Sequence, residues 1–251
     1  MYKNIKYFKG LNALRFIAAY LVVIHHAEQI RLKNELFNLK EYSFFRNGGI
    51  AVSFFFVLSG FLISYLLLKE LKQKNTVKIK AFYIRRTLRI WPLYFLLVLI
   101  GTVLVPVFLD IINHPYKIPY EFKNVILYYI FFSPFIVNII YGHHLLSSLW
   151  SIGVEEIFYI VWAPLFKTFK KHLFKLICAV IVLKISLLIY IHIFNVNIIL
   201  VKLIKILQFE AMAIGALAAG FDAAAGANLG SLFFFDGSAS NFLKRSSPLS
   251  M

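Results

Sequence analysis

Apolar residues in this chain come in unbroken runs as long as a bilayer is thick, and clusters of lysine and arginine separate the runs. Residues 48–68, GGIAVSFFFVLSGFLISYLLL, carry no charged side chain. About 20 such residues let a helix cross a hydrocarbon core of ~30 Å. Inside that core only a helix or a closed barrel satisfies its own backbone. Barrel strands alternate apolar and polar residues, and these runs do not alternate. Only 15% of the 251 residues are charged, with a mean hydropathy of +0.77; soluble domains carry about 25%. A soluble domain and a disordered chain are both excluded. The expected fold is all-α, a polytopic integral-membrane helical bundle of about seven hydrophobic segments.

Those segments are Leu11–Ala27, 48–68, about Ile90–Leu109, 124–141, 149–166, 173–194 and about 198–221. Lys3, Lys6 and Lys9 precede the first, which gives it the look of a signal peptide. No small-residue cleavage site follows, since the chain continues His25-His26-Ala27-Glu28-Gln29, so the segment is expected to stay. Pro92 sits in the first turn of the third, where its missing N–H costs little.

The charge balance orients the bundle. There are 27 Lys+Arg against 11 Asp+Glu, a formal +16. In a soluble protein this excess would suggest nucleic acid. Here it lies between apolar runs, where the positive-inside rule places cytoplasmic cations, so the bilayer is the expected partner and nucleic acid is not. Lys69–Arg89 holds eight basic residues and one acid, Glu70. A cytoplasmic N-terminus puts this cluster inside. It would put Lys167, Lys170, Lys171 and Lys175 outside if 124–141 crossed fully. Ser133-Pro134 interrupts that segment, so a re-entrant pair of half-helices is expected; a simple seven-span path is the alternative.

The single cysteine, Cys178, permits no internal disulfide framework and no cysteine zinc site, and no metal is expected. From Gly220 the composition changes to Gly, Ala and Ser, and isoleucine and tyrosine vanish. The chain therefore divides into a transmembrane part, 1–221, and a low-complexity tail, 222–251, expected to be disordered, with a truncated or shifted reading frame as one explanation.

Ionisable groups inside a span cost about 2.5–3.5 kcal/mol or more at the bilayer centre, so they mark candidate sites. Arg15 and His26 are eleven residues apart, within roughly 20° of three full turns, so they share one helix face about 16 Å apart. An arginine and an imidazole on one face suit an anionic group and a general base. Snorkelling of Arg15 and an interfacial His26 are the plainer readings. His25 points elsewhere. Arg86 and Arg89, at i and i+3, can clamp phosphates, or simply anchor the membrane surface beside Trp91. Glu155 and Glu156 face different sides of one helix. Either one points into a polar interior, or both sit at the interface on the first turn. Ser59-Gly60 is a close-packing signal rather than a nucleophile elbow.

Four segments, taken in order, carry a resemblance: LRFIAAYLVVIHH at Leu14–His26, FFFVLSGFLIS at Phe54–Ser64, FYIRRTLRIWPLY at Phe82–Tyr94 and LWSIGVEEIFY at Leu149–Tyr159. Phe209–Ala219 adds a looser one. Together they resemble the membrane-bound acyltransferase-3 family, integral-membrane O-acyltransferases of bacterial surface sugars. The resemblance implies catalytic roles for His26, Arg15 and Glu155, and donor binding by Arg86 and Arg89. Ser59, Gly60, Trp150, Ser151 and Glu156 fall in its motifs as substrate or structural positions. It also implies an acyl group, often acetyl, taken from cytoplasmic acyl-CoA and delivered to a hydroxyl of an extracytoplasmic or lipid-linked glycan at the bacterial cytoplasmic membrane. Family cores have about ten spans, so an incomplete substrate chamber is expected. A transporter or flippase-like protein without chemistry, and an inactive family member, are the alternatives.

Overall fold

The computed structural model describes residues 9–39, 41–42, 45, 48–113 and 118–225. Every regular element among them is helical: α1 (Lys9–Lys33), α2 (Gly48–Lys74), α3 (Ile79–Leu99), α4 (Val105–Ile111), α5 (Phe122–Ile130), α6 (Pro134–Tyr141), α7 (Trp150–Thr168), α8 (Leu173–Ile193), α9 (Ile198–Ile206) and α10 (Phe209–Ala225). Four stretches are long and apolar enough to cross a membrane: Gly48–Lys74, Ile79–Ile111, Ser147–Thr168 and Leu173–Ile193. The chain is an all-α membrane bundle.

Several boundaries move from those read off the sequence. The basic stretch 69–89 is not a loop: α2 continues to Lys74 and α3 begins at Ile79, so Arg85, Arg86 and Arg89 ride on the helix itself. The same helix winds more loosely over Ile100–Leu104 before α4. Pro106 follows that turn; its ring clashes with the carbonyl four residues back, and a wider turn relieves the clash. The 124–141 segment is broken as its Ser-Pro suggested. α5 and α6 hold nine and eight residues, about 13 Å each or less, too short to span singly. The last segment, expected as one helix over 198–221, is also two, α9 and α10. α10 runs on to Ala225, past the expected boundary at 221; the rest of the expected tail lies outside the described residues.

Small residues set the closest helix crossings. A Cβ built on Gly60 of α2 would lie 2.0 Å from the Met212 carbonyl oxygen, and one on Gly215 of α10 would lie 2.0 Å from that of Val57. Only glycine lets these backbones approach so closely, and Ala211, Ala213, Ala216 and Ala219 continue the buried face of α10. Gly153 of α7 does the same for the broken pair, since a Cβ there would meet the Phe132 carbonyl at 2.6 Å. Phe132 itself turns the chain at φ 52°, costly for an aromatic residue. It is held by the rings of Trp91, Tyr94 and Phe95 with centroids at 5.0, 4.6 and 5.6 Å.

Candidate active site

α2 and α7 bring the expected charged residues to one buried place. The Ser59 hydroxyl donates to Glu155 Oε1 at 2.6 Å, and the Tyr159 hydroxyl, one turn along α7, donates to Oε2 at 3.0 Å. Arg15 of α1 donates to Ser59 Oγ at 3.5 Å and lies over the Phe55 ring at 4.9 Å. Arg86 of α3 faces the Tyr159 and Phe82 rings at 5.5 and 5.8 Å, within electrostatic reach of Glu155 and Arg15. The buried Glu155 carboxyl is thus held by two hydroxyls, with two guanidiniums nearby to offset its charge. Ser59 links Arg15 to the carboxyl: its oxygen accepts from the guanidinium and its hydroxyl donates to Glu155.

Glu156 turns the other way. Its Oε2 accepts from Trp91 Nε1 at 3.2 Å, while its Oε1 is buried with no hydrogen-bond partner among the described residues. Both glutamates are buried, at 7% and 5% exposure. Neither glutamate is therefore exposed at the protein surface. Trp150 packs edge-on against Phe56 at 5.8 Å, and Ser151 bonds the Ser148 carbonyl at 3.3 Å. Both serve the start of α7 rather than the cluster.

Beside the cluster a cleft of about 270 Å³ is lined by Leu66, Leu67, Lys69, Glu70, Phe82, Arg85, Arg86 and Arg89. Glu70 ion-pairs with Lys74 at 3.6 Å and Arg85 at 4.0 Å. Among the described residues no oxygen accepts a hydrogen bond from Arg86, which is partly exposed. A part-exposed guanidinium with donors to spare lines the cleft, and the cleft is where an anionic ligand would meet it.

His26 stands apart from this group. It shares the α1 face of Arg15, about 16 Å along the axis, and touches neither Glu155 nor Arg15. Arg15 and His26 thus keep the separation that their spacing implied, and Arg15 is bonded to Ser59. The neighbours of His26 are the rings of His25 and His143, with centroids at 5.8 and 6.2 Å. His25 is occupied: its Nδ1 lies 3.0 Å from the Phe45 carbonyl, its Nε2 2.9 Å from Gln29, and its ring fills the space above Gly48.

A family model described as an acyltransferase domain matches residues 8–237. This chain belongs to the acyltransferase-3 family. Among similar proteins, a Staphylococcus aureus (strain COL) protein named "Putative O-acetyltransferase" is 30% identical over 172 residues, 66% of this chain and 26% of that protein. The peptidoglycan O-acetyltransferase OatA of Listeria monocytogenes is 28% identical over 174 residues, 66% of this chain and 25% of its own. The chain thus spans about a quarter of the curated relatives it matches. No solved structure matches it.

Three polar residues stand out in the structure that the sequence reading did not single out: Tyr159 in the cluster, His143 beside His26, and Lys184 at the break between α9 and α10. Tyr159 was legible in principle, being one turn from Glu155 on the same face. Lys184 was legible as the one charge in the middle of the 173–194 run, Lys175 lying at its start. His143 had no signal beyond being one of a histidine doublet.

Proposed function

We propose that this chain is the membrane-embedded part of an O-acyltransferase that moves an acyl group, acetyl by preference, from cytoplasmic acyl-CoA to a hydroxyl of an extracytoplasmic or lipid-linked glycan. Family membership and the O-acetyltransferase names of its relatives support the reaction class. The observation that carries the donor assignment is the Arg86 guanidinium without acceptors, opening on a cleft shared with Arg85 and Arg89. A donor with several phosphates suits that cleft; a transporter needs no such feature. With the N-terminus cytoplasmic in the bacterial inner membrane, the cleft faces the compartment that holds acyl-CoA.

His26 is the proposed general base. It takes the proton of the acceptor hydroxyl as that oxygen attacks the thioester carbonyl; the carbon–sulfur bond breaks and the thiolate takes up a proton. Arg15 and Glu155 act from the buried cluster between cleft and histidine, where fixed charges stabilise developing charge without reorganising. No covalent acyl-enzyme is assigned.

The test uses membranes carrying the full chain, labelled acetyl-CoA and the cell's own surface polysaccharide. Transfer is expected, and His26→Ala should lower it by about a hundred-fold or more. Arg86→Ala should raise the donor KM by about ten-fold or more, the size of a lost charged hydrogen bond. Transfer that persists in His26→Ala would remove the base assignment, and an unchanged donor KM would remove the clamp.

A further inference from the structure

The chain contains two histidine doublets, His25-His26 on α1 and His143-His144 in the connection after α6, and the fold uses them alike. In each, one ring is tied into the structure and its neighbour is left available. His25 is tied as described. His144 is only 2% exposed and braced on every side. Its Nδ1 lies 3.0 Å from the Gly142 carbonyl, which can only accept, so Nδ1 carries the ring proton. Its Nε2 then accepts from the Tyr129 hydroxyl at 3.1 Å. The His144 backbone N–H donates to Ser147 Oγ at 2.6 Å, and Asn138 donates to the Ser147 carbonyl at 2.9 Å. Gly142, at φ 74°, makes the turn out of α6 that starts this braced loop.

The bracing fixes the residue between Gly142 and His144. His143 is exposed, and its ring centroid is 6.2 Å from that of His26, at an interplanar angle of 50°. One hydroxyl oxygen, with hydrogen bonds of about 2.8 Å to each side, can bridge two imidazoles so spaced. An exposed ring held over a candidate base by a buried network is more than its own packing requires.

We propose that His143 is a second acceptor-binding residue: the incoming hydroxyl sits between His26, which takes its proton, and His143, which orients its oxygen. This rests on the acceptor reading of His26 above. Its ligand is a neutral hydroxyl-bearing molecule approaching from the side of the membrane away from the Arg86 cleft. His143 thereby sets how the acceptor is presented and has no part in holding the donor.

The experiment measures transfer in membranes carrying the full chain, varying acceptor and donor separately. His143→Ala should lower kcat/KM for the acceptor by about ten-fold, the size of one hydrogen bond to the substrate, with the donor KM within two-fold of wild type. His143→Gln, which keeps a donor and an acceptor, should recover part of the loss. His143 is exposed, so membrane abundance should not change; matched protein levels are the control. Three results would overturn the proposal: acceptor kcat/KM within two-fold of wild type in both variants, equal losses for donor and acceptor, or His143→Gln no better than His143→Ala. A wild-type chain without transfer overturns the function reading itself, and this proposal with it. An active wild type with indifferent His143 variants overturns this proposal alone.

Discussion

One face of α1 carries two polar centres about 16 Å apart, and they are built in opposite ways. At the inner centre Glu155 is buried, both of its oxygens are taken, and its hydroxyl donors and guanidinium neighbours come from α1, α2, α3 and α7. At the outer centre His26 is half-buried, meets His143 across a gap and shows no ring hydrogen bond among the described residues. The contrast separates two uses of an ionisable group inside a membrane protein. A fully partnered charge joins helices and sets a field; a charge with spare valence is free to exchange a proton. Stability should therefore be concentrated at the first centre and chemistry at the second.

Removing the two key residues gives the sharpest way to break this contrast. Glu155→Ala leaves the part-exposed guanidiniums of Arg15 and Arg86 and the Ser59 and Tyr159 hydroxyls without their carboxylate; breaking a fully buried pair costs about 3–5 kcal/mol, and the exposure of the arginines puts this variant at the lower end. His26→Ala should cost less than about 1 kcal/mol, in the range of substitutions that leave no buried orphan, while abolishing most transfer. Detergent-solubilised unfolding curves for the two variants would measure this. If His26→Ala proves as destabilising as Glu155→Ala, the two centres are not different in kind.

Lys184 extends the first category. It is 7% exposed in the middle of α8, and its Nζ donates to the Ile204 and Leu207 carbonyls at the break between α9 and α10, with Glu210 Oε2 at 3.3 Å. A cation at the end of α9 suits the helix dipole. Lys184→Met should therefore destabilise by about 3 kcal/mol or more. Glu210→Gln in the same chain should restore part of the loss, because the carboxylate no longer lacks its cation. A fully additive double variant would mean the two charges do not act together.

How much of this was legible in sequence follows from the same distinction. Arg15, Ser59, Glu155 and Arg86 were found because each is a polar residue in an apolar run or family motif, and the fold brings them together. The break at 207–208 was not found, because no proline or glycine marks it; the carbonyls freed there are met by Lys184 from another helix. The separation of Arg15 from His26 was legible, but the partner of Arg15 was not. Spacing put them on one face, and only the partner helices show that Arg15 is taken by Ser59. His143 was illegible because its meaning depends on a loop braced by side chains from α5 and α6.

Gly60 tests whether the inner centre depends on helix approach. It follows Ser59 directly, and an added Cβ would meet backbone, the Met212 carbonyl, which cannot swing aside. Gly60→Ala should cost about 1–3 kcal/mol by forcing α2 and α10 apart. It should also reduce transfer by displacing Ser59 from Glu155, and the His26–His143 pair, built on other helices, should not move. A variant as stable as wild type would show that the crossing has slack.

The smallest expected effect concerns the bracing of the outer centre. Burial holds the His144 imidazole below the ordinary histidine range, and the Gly142 carbonyl only partly opposes this. The neutral ring is thus the folded form, and Nε2 has no proton with which to meet the Tyr129 hydroxyl as donor. The sign follows: His144 contributes stability above its unfolded pKa, about 6.5, and that contribution is lost as pH falls from there towards the lower folded value. Amide exchange in residues 142–147 should quicken as pH drops below about 6.5 relative to the α2–α10 crossing, after correction for intrinsic rates. His144→Gln, which cannot titrate, should flatten that dependence. A loop whose corrected exchange is level from about pH 8 to about pH 5 would show that its bracing does not rest on the neutral imidazole.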